Sequence, residues 1–138
     1  MDAMEYLRQV EKLDKQIENK LIEQRQWRDI ALGITANMDG ERVQSSGAKD
    51  KMANAVERCV DMGAEINSLV DILIDTKKEV IQTIERLYSP IEYDVLHKRF
   101  IQYKTLQEIA DDYKKDYGWA KSTCKRAVRH VRALLDGK

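Results

Sequence analysis

The chain has 138 residues, 24 basic and 24 acidic side chains, and a formal net charge of zero. Its high charged fraction of 35%, single proline and six glycines are typical of a soluble helical protein, and they exclude collagen-like, disulfide-scaffold and proline-rich disordered classes. No apolar run approaches the ~18 residues that a membrane-spanning helix needs. The opening MDAMEYLRQVEK lacks the apolar core of a secretory signal. We therefore expect a cytoplasmic protein that does not enter a membrane.

The residues that most often carry catalysis or bind metals are few and poorly placed for either role. Two cysteines, Cys59 and Cys124, are too few for a disulfide framework, and no cysteines or histidines have the short spacing of a zinc site. Cys124 and His130 lie about 240° apart around a helix axis, so they do not face each other. No phosphate-binding glycine loop and no H-E-x-x-H motif is present. We expect no enzymatic activity, no metal, no cofactor and no small-molecule substrate.

Residues 3–35 are predicted to form one long helix. No proline, and no glycine before Gly33, interrupts this segment. Its apolar residues recur at spacings of three and four, which places them on one stripe of a helix. The stripe consists of Tyr6, Val10, Leu13, Ile17, Leu21, Gln24, Trp27, Ala31 and Ile34.

Residues 36–48 are predicted to reverse the chain, because two glycines, Asn37, Asp39 and a pair of serines supply turn chemistry. Ser45 or Ser46 could cap the next helix. Segment 42–47 has a second interpretation, since its backbone amides could form a nest that holds a phosphate.

A second long helix is predicted over residues 49–87, folded back antiparallel on the first. Its apolar positions alternate spacings of four and three, as in a coiled-coil seam. The seam consists of Cys59, Gly63, Ile66, Val70, Leu73, Lys77, Val80, Ile84 and Leu87, with Gly63 and Lys77 as its weak points.

Further apolar residues lie off both stripes, namely Ile22, Ile72, Ile74 and Ile81. A two-helix hairpin cannot bury all of them, so either the C-terminal module or a second copy of the chain is expected to cover the remainder. We therefore interpret residues 1–88 as a dimerisation arm or a partner-docking arm, and favour a homodimer.

Residues 89–138 are predicted to form a separate three-helix module. Ser89 and Pro90 have the residue types of an N-cap and a first helical position. The third helix is expected to run from there through Ile91, Phe100 and Ile101.

The fourth helix is predicted to start at Thr105, which forms a capping box with Glu108. A polar turn over Lys114–Gly118 then precedes a fifth helix. The residues expected on the buried side of that helix are Ala120, Cys124 (or Thr123), Ala127, Val128, Val131, Leu134 and Leu135.

The zero net charge conceals an asymmetry between the two parts of the chain. Residues 1–88 hold 13 basic and 17 acidic side chains, whereas residues 89–138 hold 11 basic and 7 acidic ones. From Trp119 to Leu135 there are five bases and no acid, which is the electrostatic footprint of a phosphate-binding helix. Together with the helix-turn-helix pattern, this predicts double-stranded DNA as the partner. The candidate DNA-binding residues are Thr105, Trp119, Lys121, Ser122, Lys125, Arg126 and Arg129.

Trp119 has two interpretations of equal standing. Its ring could contact sugars or thymine methyl groups, or it could fill the crevice beneath the third helix.

The stretch SPIEYDVLHKRFIQYKTLQEIADDY, followed by STCKRAVRHVRALL, resembles the fourth conserved region of bacterial sigma factors. The matching features are a hydrophobic-basic-basic-aromatic step at Leu96–Phe100, the T-L-x-E-I-A helix at Thr105–Ala110, and the basic run at Arg126–Val131. In that pattern Ala110 is the small residue where two helices cross. The turn over Lys114–Gly118 is about two residues longer than in sigma factors, and the regions that bind and melt a core promoter are absent.

The whole chain also resembles a family of small proteins encoded by phages and prophages of Gram-positive bacteria, through ERVQSSG at 41–47 and the Trp119-Ala120 step. These proteins pair a long helical hairpin with a sigma-like helix-turn-helix and are regarded as transcription regulators. The resemblance implies sequence-specific DNA binding in the cytoplasm of a bacterial host.

The sequence therefore predicts an all-α fold, with a long antiparallel two-helix, coiled-coil-like hairpin followed by a helix-turn-helix module. The expected function is sequence-specific transcription regulation of phage or prophage genes. An alternative is a protein–protein adaptor that docks on RNA polymerase or another regulator through the hairpin and binds little DNA itself.

Overall fold

A computed structural model describes residues 1–33 and 46–137, and the side chains of residues 46–48 lie outside that description. The described part is all-helical, as predicted, and contains no strand. Its elements are α1 (Ala3–Ala31), α2 (Ser46–Ile84), α3 (Pro90–Leu96), a π-helical turn (His97–Ile101), α4 (Leu106–Asp112) and α5 (Tyr117–Leu135). Within these residues no helix has the length and apolar character that crossing a bilayer requires.

Several sequence predictions fall outside the described residues. They include most of the chain reversal over 36–48, the phosphate nest over 42–47, the cap at Ser45 or Ser46, and the last stripe residue, Ile34.

Both hairpin helices differ in extent from their predictions. α1 ends at Ala31, because Gly33 adopts a left-handed φ of 74°, a conformation that no helix interior accommodates. α2 is already helical at Ser46, and it ends at Ile84 rather than at residue 87. The backbone after Ile84 tightens, and the amide of Leu87 donates to the carbonyl of Ile84.

One compact unit comprises Lys15–Ile72, where α1 and α2 run antiparallel. Lys20 Nζ lies 2.8 Å from Glu65 Oε1, and Gln24 Nε2 donates to the carbonyl of Cys59 at 3.0 Å. The buried apolar residues of this unit are Ile17, Ala55, Met62 and Ile66. Met62 thus occupies the buried position that was predicted for its neighbour Gly63.

The other compact unit comprises Met1–Asp14 and Leu73–Lys138. Here the hydroxyls of Tyr6 and Thr83 are 2.8 Å apart, joining α1 to α2 inside one hydrophobic core. Leu7 is fully buried although it lies off the predicted stripe, whereas Lys77, a predicted seam residue, is exposed. The core residues are Ala3, Tyr6, Leu7, Val10, Val80, Ile84, Val95, Leu96, Phe100, Ile101, Ile109, Ala110, Ala120, Cys124, Ala127 and Val131.

This division of the chain differs from the predicted boundary between residues 88 and 89. Both ends of the predicted arm belong to the same unit as the C-terminal helices, because they share its apolar core. Ile81 packs against that core, as expected if the C-terminal module covers it. Ile22, Ile72 and Ile74 remain about half exposed.

The third helix is not regular along its predicted length. Ser89 accepts a hydrogen bond from the Glu92 amide at 3.3 Å, and Pro90 stands at the first helical position, both as predicted. After Leu96, however, the helix widens into the π-helical turn. The adjacent residues Phe100 and Ile101 are both buried there.

The turn between α4 and α5 spans residues 113–116, so the predicted turn over Lys114–Gly118 was wrong. α4 ends in a Schellman motif. The Lys114 amide donates to the carbonyl of Asp111, and the Lys115 amide donates to the carbonyl of Ala110. Lys114 holds the left-handed position, with a φ of 55°. Asp116 then caps α5, so its first turn begins two residues earlier than predicted.

Replacing Leu7 with Ala should lower the free energy of unfolding by about 2–5 kcal/mol, because a fully buried leucine leaves a cavity. Lys12→Ala is the control on the same helix, since Lys12 is exposed, and it should change stability by less than about 1 kcal/mol. Urea unfolding followed by circular dichroism measures both variants. Equal losses in the two variants would contradict this assignment of the core.

Candidate nucleic-acid interface

The last helix is held by its cap and by its buried side. Asp116 accepts a hydrogen bond from the Trp119 amide at 2.8 Å, which satisfies one of the free amides at the start of α5. One face of the helix packs against α3 and α4. The buried residues on it are Ala120, Thr123, Cys124, Ala127 and Val131. Val128 and Leu134 are only half buried, and Leu135 is exposed, so Leu135 was wrongly predicted to face inward.

The opposite face of α5 carries most of the predicted DNA-binding residues. Lys121, Ser122, Lys125 and Arg129 are all exposed. Among the described residues, none of the three cations in this group forms an ion pair with a carboxylate, and Arg132 is likewise exposed. Because the charge on this face is not neutralised within the described part of the chain, it is available to a polyanion.

Trp119 lies at the edge of this face and is half buried. Its ring packs against the core, with its centroid 5.1 Å from that of Tyr113 and the ring planes tilted by 49°. The contact with Tyr113 supports the packing interpretation of this residue.

Thr105 is exposed, but its hydroxyl already has a structural role. It accepts a hydrogen bond from the Glu108 amide at 3.1 Å, while the Glu108 carboxylate accepts from the Thr105 amide at 2.8 Å. The predicted capping box at the start of α4 is thereby confirmed.

Arg126 differs from the other cations because it is paired with a buried acid. Its Nε donates to Glu92 Oε2 at 2.8 Å, and His130 Nδ1 lies 2.6 Å from Glu92 Oε1. The Glu92 side chain is 5% exposed, whereas those of Arg126 and His130 are about half exposed. One carboxylate on α3 therefore anchors two side chains one turn apart on α5.

This cluster was not predicted from the sequence. Glu92 follows Ser89 by three residues, which is the spacing of a capping-box glutamate, but its side chain reaches α5 instead of the cap. The spacing of four residues between Arg126 and His130 was the available signal, since it places both on one helix face.

Burial tends to raise the pKa of the Glu92 carboxyl, but hydrogen bonds from His130 and Arg126, together with their charges, hold that pKa below its ordinary value. The charged form is thus favoured in the folded protein.

Two acids of the neighbouring helices, Asp94 and Asp112, are also paired. Lys104 Nζ lies 2.7 Å from Asp112 Oδ2, and Lys98 Nζ lies 3.8 Å from both Asp112 and Asp94. The hydrogen bond from Lys104 lowers the pKa of Asp112. Tyr113 donates its hydroxyl to Asp94, and burial together with this contact raises the pKa of Tyr113 to about 12. These contacts join α3, the π-helical turn and α4, while the exposed cations of α5 remain outside the network.

No group of three or more metal-ligating side chains comes together within residues 1–33 and 46–137. Family models, curated proteins and solved structures contain no match to this chain. The resemblances described above therefore rest on the sequence residues quoted for them.

Glu92→Gln should lower the free energy of unfolding at about pH 7, because it removes the charge that Arg126 and His130 contact while keeping the size of the side chain. Since the pKa of Glu92 is lower in the folded state, its stabilisation is fully present above its ordinary value of 4.5. That stabilisation is lost as the pH falls from there through the folded value. The difference in the free energy of unfolding between wild type and variant should therefore shrink as the pH falls.

Urea unfolding between about pH 7 and about pH 3 measures this difference. Glu85→Gln is the control, because Glu85 is exposed and its side chain contacts no cation within the described residues. A difference between wild type and Glu92→Gln that stays constant across the range would refute the assignment.

Proposed function

We propose that this protein is a sequence-specific DNA-binding regulator of transcription that places α5 in the major groove of double-stranded DNA, acting on phage or prophage genes. The unpaired basic face of α5 carries the proposal. A short helix, a four-residue turn and a longer basic helix are the parts of a helix-turn-helix, in which the second helix contacts the base edges. The sigma-like sequence pattern of residues 89–135 supports the same function.

The exposed side chains are expected to contact different parts of the DNA along the helix. Lys121 and Ser122 lie near the start of α5, where recognition helices meet the base edges. Lys125 and Arg129 lie further along the same face and would neutralise phosphates, which contributes affinity without sequence choice. Arg126 would contribute less to binding, because DNA would have to compete with Glu92 for its guanidinium.

The exchange of Lys125 and Arg129 for Ala should weaken DNA binding at least about tenfold, because two phosphate contacts are lost. It should also reduce the slope of log affinity against log salt concentration by about 2. Fluorescence anisotropy with a labelled duplex from the chain's own flanking DNA, compared with a random duplex at about 50 and about 200 mM salt, measures both quantities.

The matched control is the double variant Lys77→Ala and Lys78→Ala, which removes the same charge from an exposed pair on α2. It should bind DNA nearly as wild type does. Salt-insensitive binding, or equal losses in the two double variants, would overturn the DNA interface and favour the adaptor that was the alternative from sequence.

We also propose that the protein acts as a homodimer through the unit formed by Lys15–Ile72. This unit buries few apolar side chains and leaves several large ones exposed. Val60 is 69% exposed, and Val56 lies one turn before it on α2. The other exposed aliphatic residues of the unit are Leu21, Ile22, Leu32, Met52 and Ile72. A second copy would remove this apolar surface from water and present two recognition helices to a palindromic site.

Sedimentation equilibrium tests the dimer. The wild type should sediment as a dimer at micromolar concentration, and the double change of Val56 and Val60 to Lys should yield monomers, because it places charges in an apolar contact. The control double change places Lys at Asn54 and Ser68, two exposed polar positions on the same helix that lie away from the face shared by Val56 and Val60, and should leave the mass unchanged. A monomeric wild type would refute the proposal.

A further inference from the structure

The unit that contains the C-terminal helices has a groove of about 220 Å³ beside α5, which the proposed DNA interface uses only at one rim. Its walls come from α1, the π-helical turn, α4 and α5. This volume can hold one large side chain of a bound molecule.

The floor of the groove is apolar. Phe100 and Cys124 are buried at its base, and Met4, Leu106 and Val128 line it while remaining only partly covered. Such a floor supplies few donors for an anion, so a bare phosphate would lose its hydration there without replacement. An apolar side chain would instead gain from leaving water.

The rim of the groove carries four cations, Arg8, Arg99, Lys121 and Lys125, and no carboxylate of the described residues lines it. Arg8, Lys121 and Lys125 are exposed and form no ion pair with a described carboxylate. Arg99 donates one hydrogen bond to the carbonyl of Lys104 at 3.3 Å. The rim is therefore complementary to a ligand with several negative charges around an apolar centre.

The cations of the rim act electrostatically on the floor of the groove. Burial raises the pKa of the Cys124 thiol, and the nearby guanidinium groups of Arg99 and Arg8 act in the opposite direction. Arg8, from the first helix, thus shares one electrostatic environment with the recognition helix.

We propose that this groove binds an acidic segment of a partner protein, which places one large apolar side chain on the floor and its carboxylates between the four cations. An apolar floor inside a cationic rim matches a peptide that alternates acidic and large apolar residues. It matches a nucleic acid less well, because the backbone of DNA offers phosphates and sugars but no large apolar group to fill the floor.

The groove also implies a form of regulation, which rests on the DNA-binding function proposed above. Lys121 and Lys125 belong both to the groove and to the DNA face, so one side chain cannot serve both ligands at once. An acidic partner in the groove would therefore displace DNA from α5.

Selection of displayed random 12-residue peptides against the full chain tests the groove directly. Enriched peptides should combine Asp or Glu with Leu, Phe or Met, and the best of them should bind the wild type in fluorescence anisotropy. Arg8→Glu should weaken binding of that peptide at least about tenfold, because it reverses one of the four rim charges. Lys12→Glu is the matched control, since it makes the same charge change on an exposed residue of the same helix outside the groove.

Failure of any peptide to enrich, enrichment of peptides without acids, or equal effects of Arg8→Glu and Lys12→Glu would overturn the proposal.

Arg129→Ala separates the groove from the DNA interface, because Arg129 lies on the exposed face of α5 but does not line the groove. It should weaken binding of the duplex and leave binding of the peptide unchanged. If wild type binds peptide but no duplex, only the DNA function fails. If it binds duplex but no peptide, only the groove fails. Where both ligands bind, displacement of labelled duplex by the peptide supports the shared use of the two lysines, and simultaneous binding refutes it.

Discussion

The C-terminal helices depend on apolar residues that they do not themselves contain. α3 and α4 have seven residues each, too few to be stable without tertiary packing, and a module of this size buries little surface alone. The first turns of α1 and the last turns of α2 supply the missing contacts, through Leu7, Val10 and Val80. The helix-turn-helix is therefore part of a larger core that includes both ends of the hairpin helices.

Within that core, the distribution of charge leaves one helix face available. Asp112 of α4 is paired with the nearby cations Lys104 and Lys98. Glu92 pairs with two side chains of the basic helix, Arg126 and His130, from the buried side. A lone buried carboxylate would be costly, and these two contacts make its charged form the favoured one. The remaining cations of α5 are left to solvent and to a ligand.

The shared core also explains why a groove forms beside α5. Since α1 packs into the same core as α5, it brings Arg8 and Met4 next to side chains more than a hundred residues away in sequence. The result is an apolar floor with a cationic rim, adjacent to the face proposed for DNA. The two proposed ligands would then meet at Lys121 and Lys125, which links partner binding to DNA binding without requiring a change of fold.

The sequence by itself determined the features whose causes are local. Helical periodicity established the all-α class, Ser89 and Pro90 marked the start of α3, and the pairing of Thr105 with Glu108 marked that of α4. The basic face of α5 was equally predictable, because a run of basic residues without acids is recognised from the sequence of one segment alone. The prediction of where α1 ends was less accurate, because the consequence of a left-handed Gly33 depends on the backbone around it.

Tertiary packing alone decided which side chains are buried and which cations are paired. The burial of Leu7 in addition to the predicted Tyr6, and of Met62 rather than Gly63, follows from which surfaces the helices meet. Periodicity cannot distinguish neighbouring positions on a helix. Glu92 has the sequence spacing of a capping residue, yet it binds Arg126 and His130 because α5 passes close to α3. The groove joins residues from both ends of the chain, and only the shared core brings them within reach of one ligand.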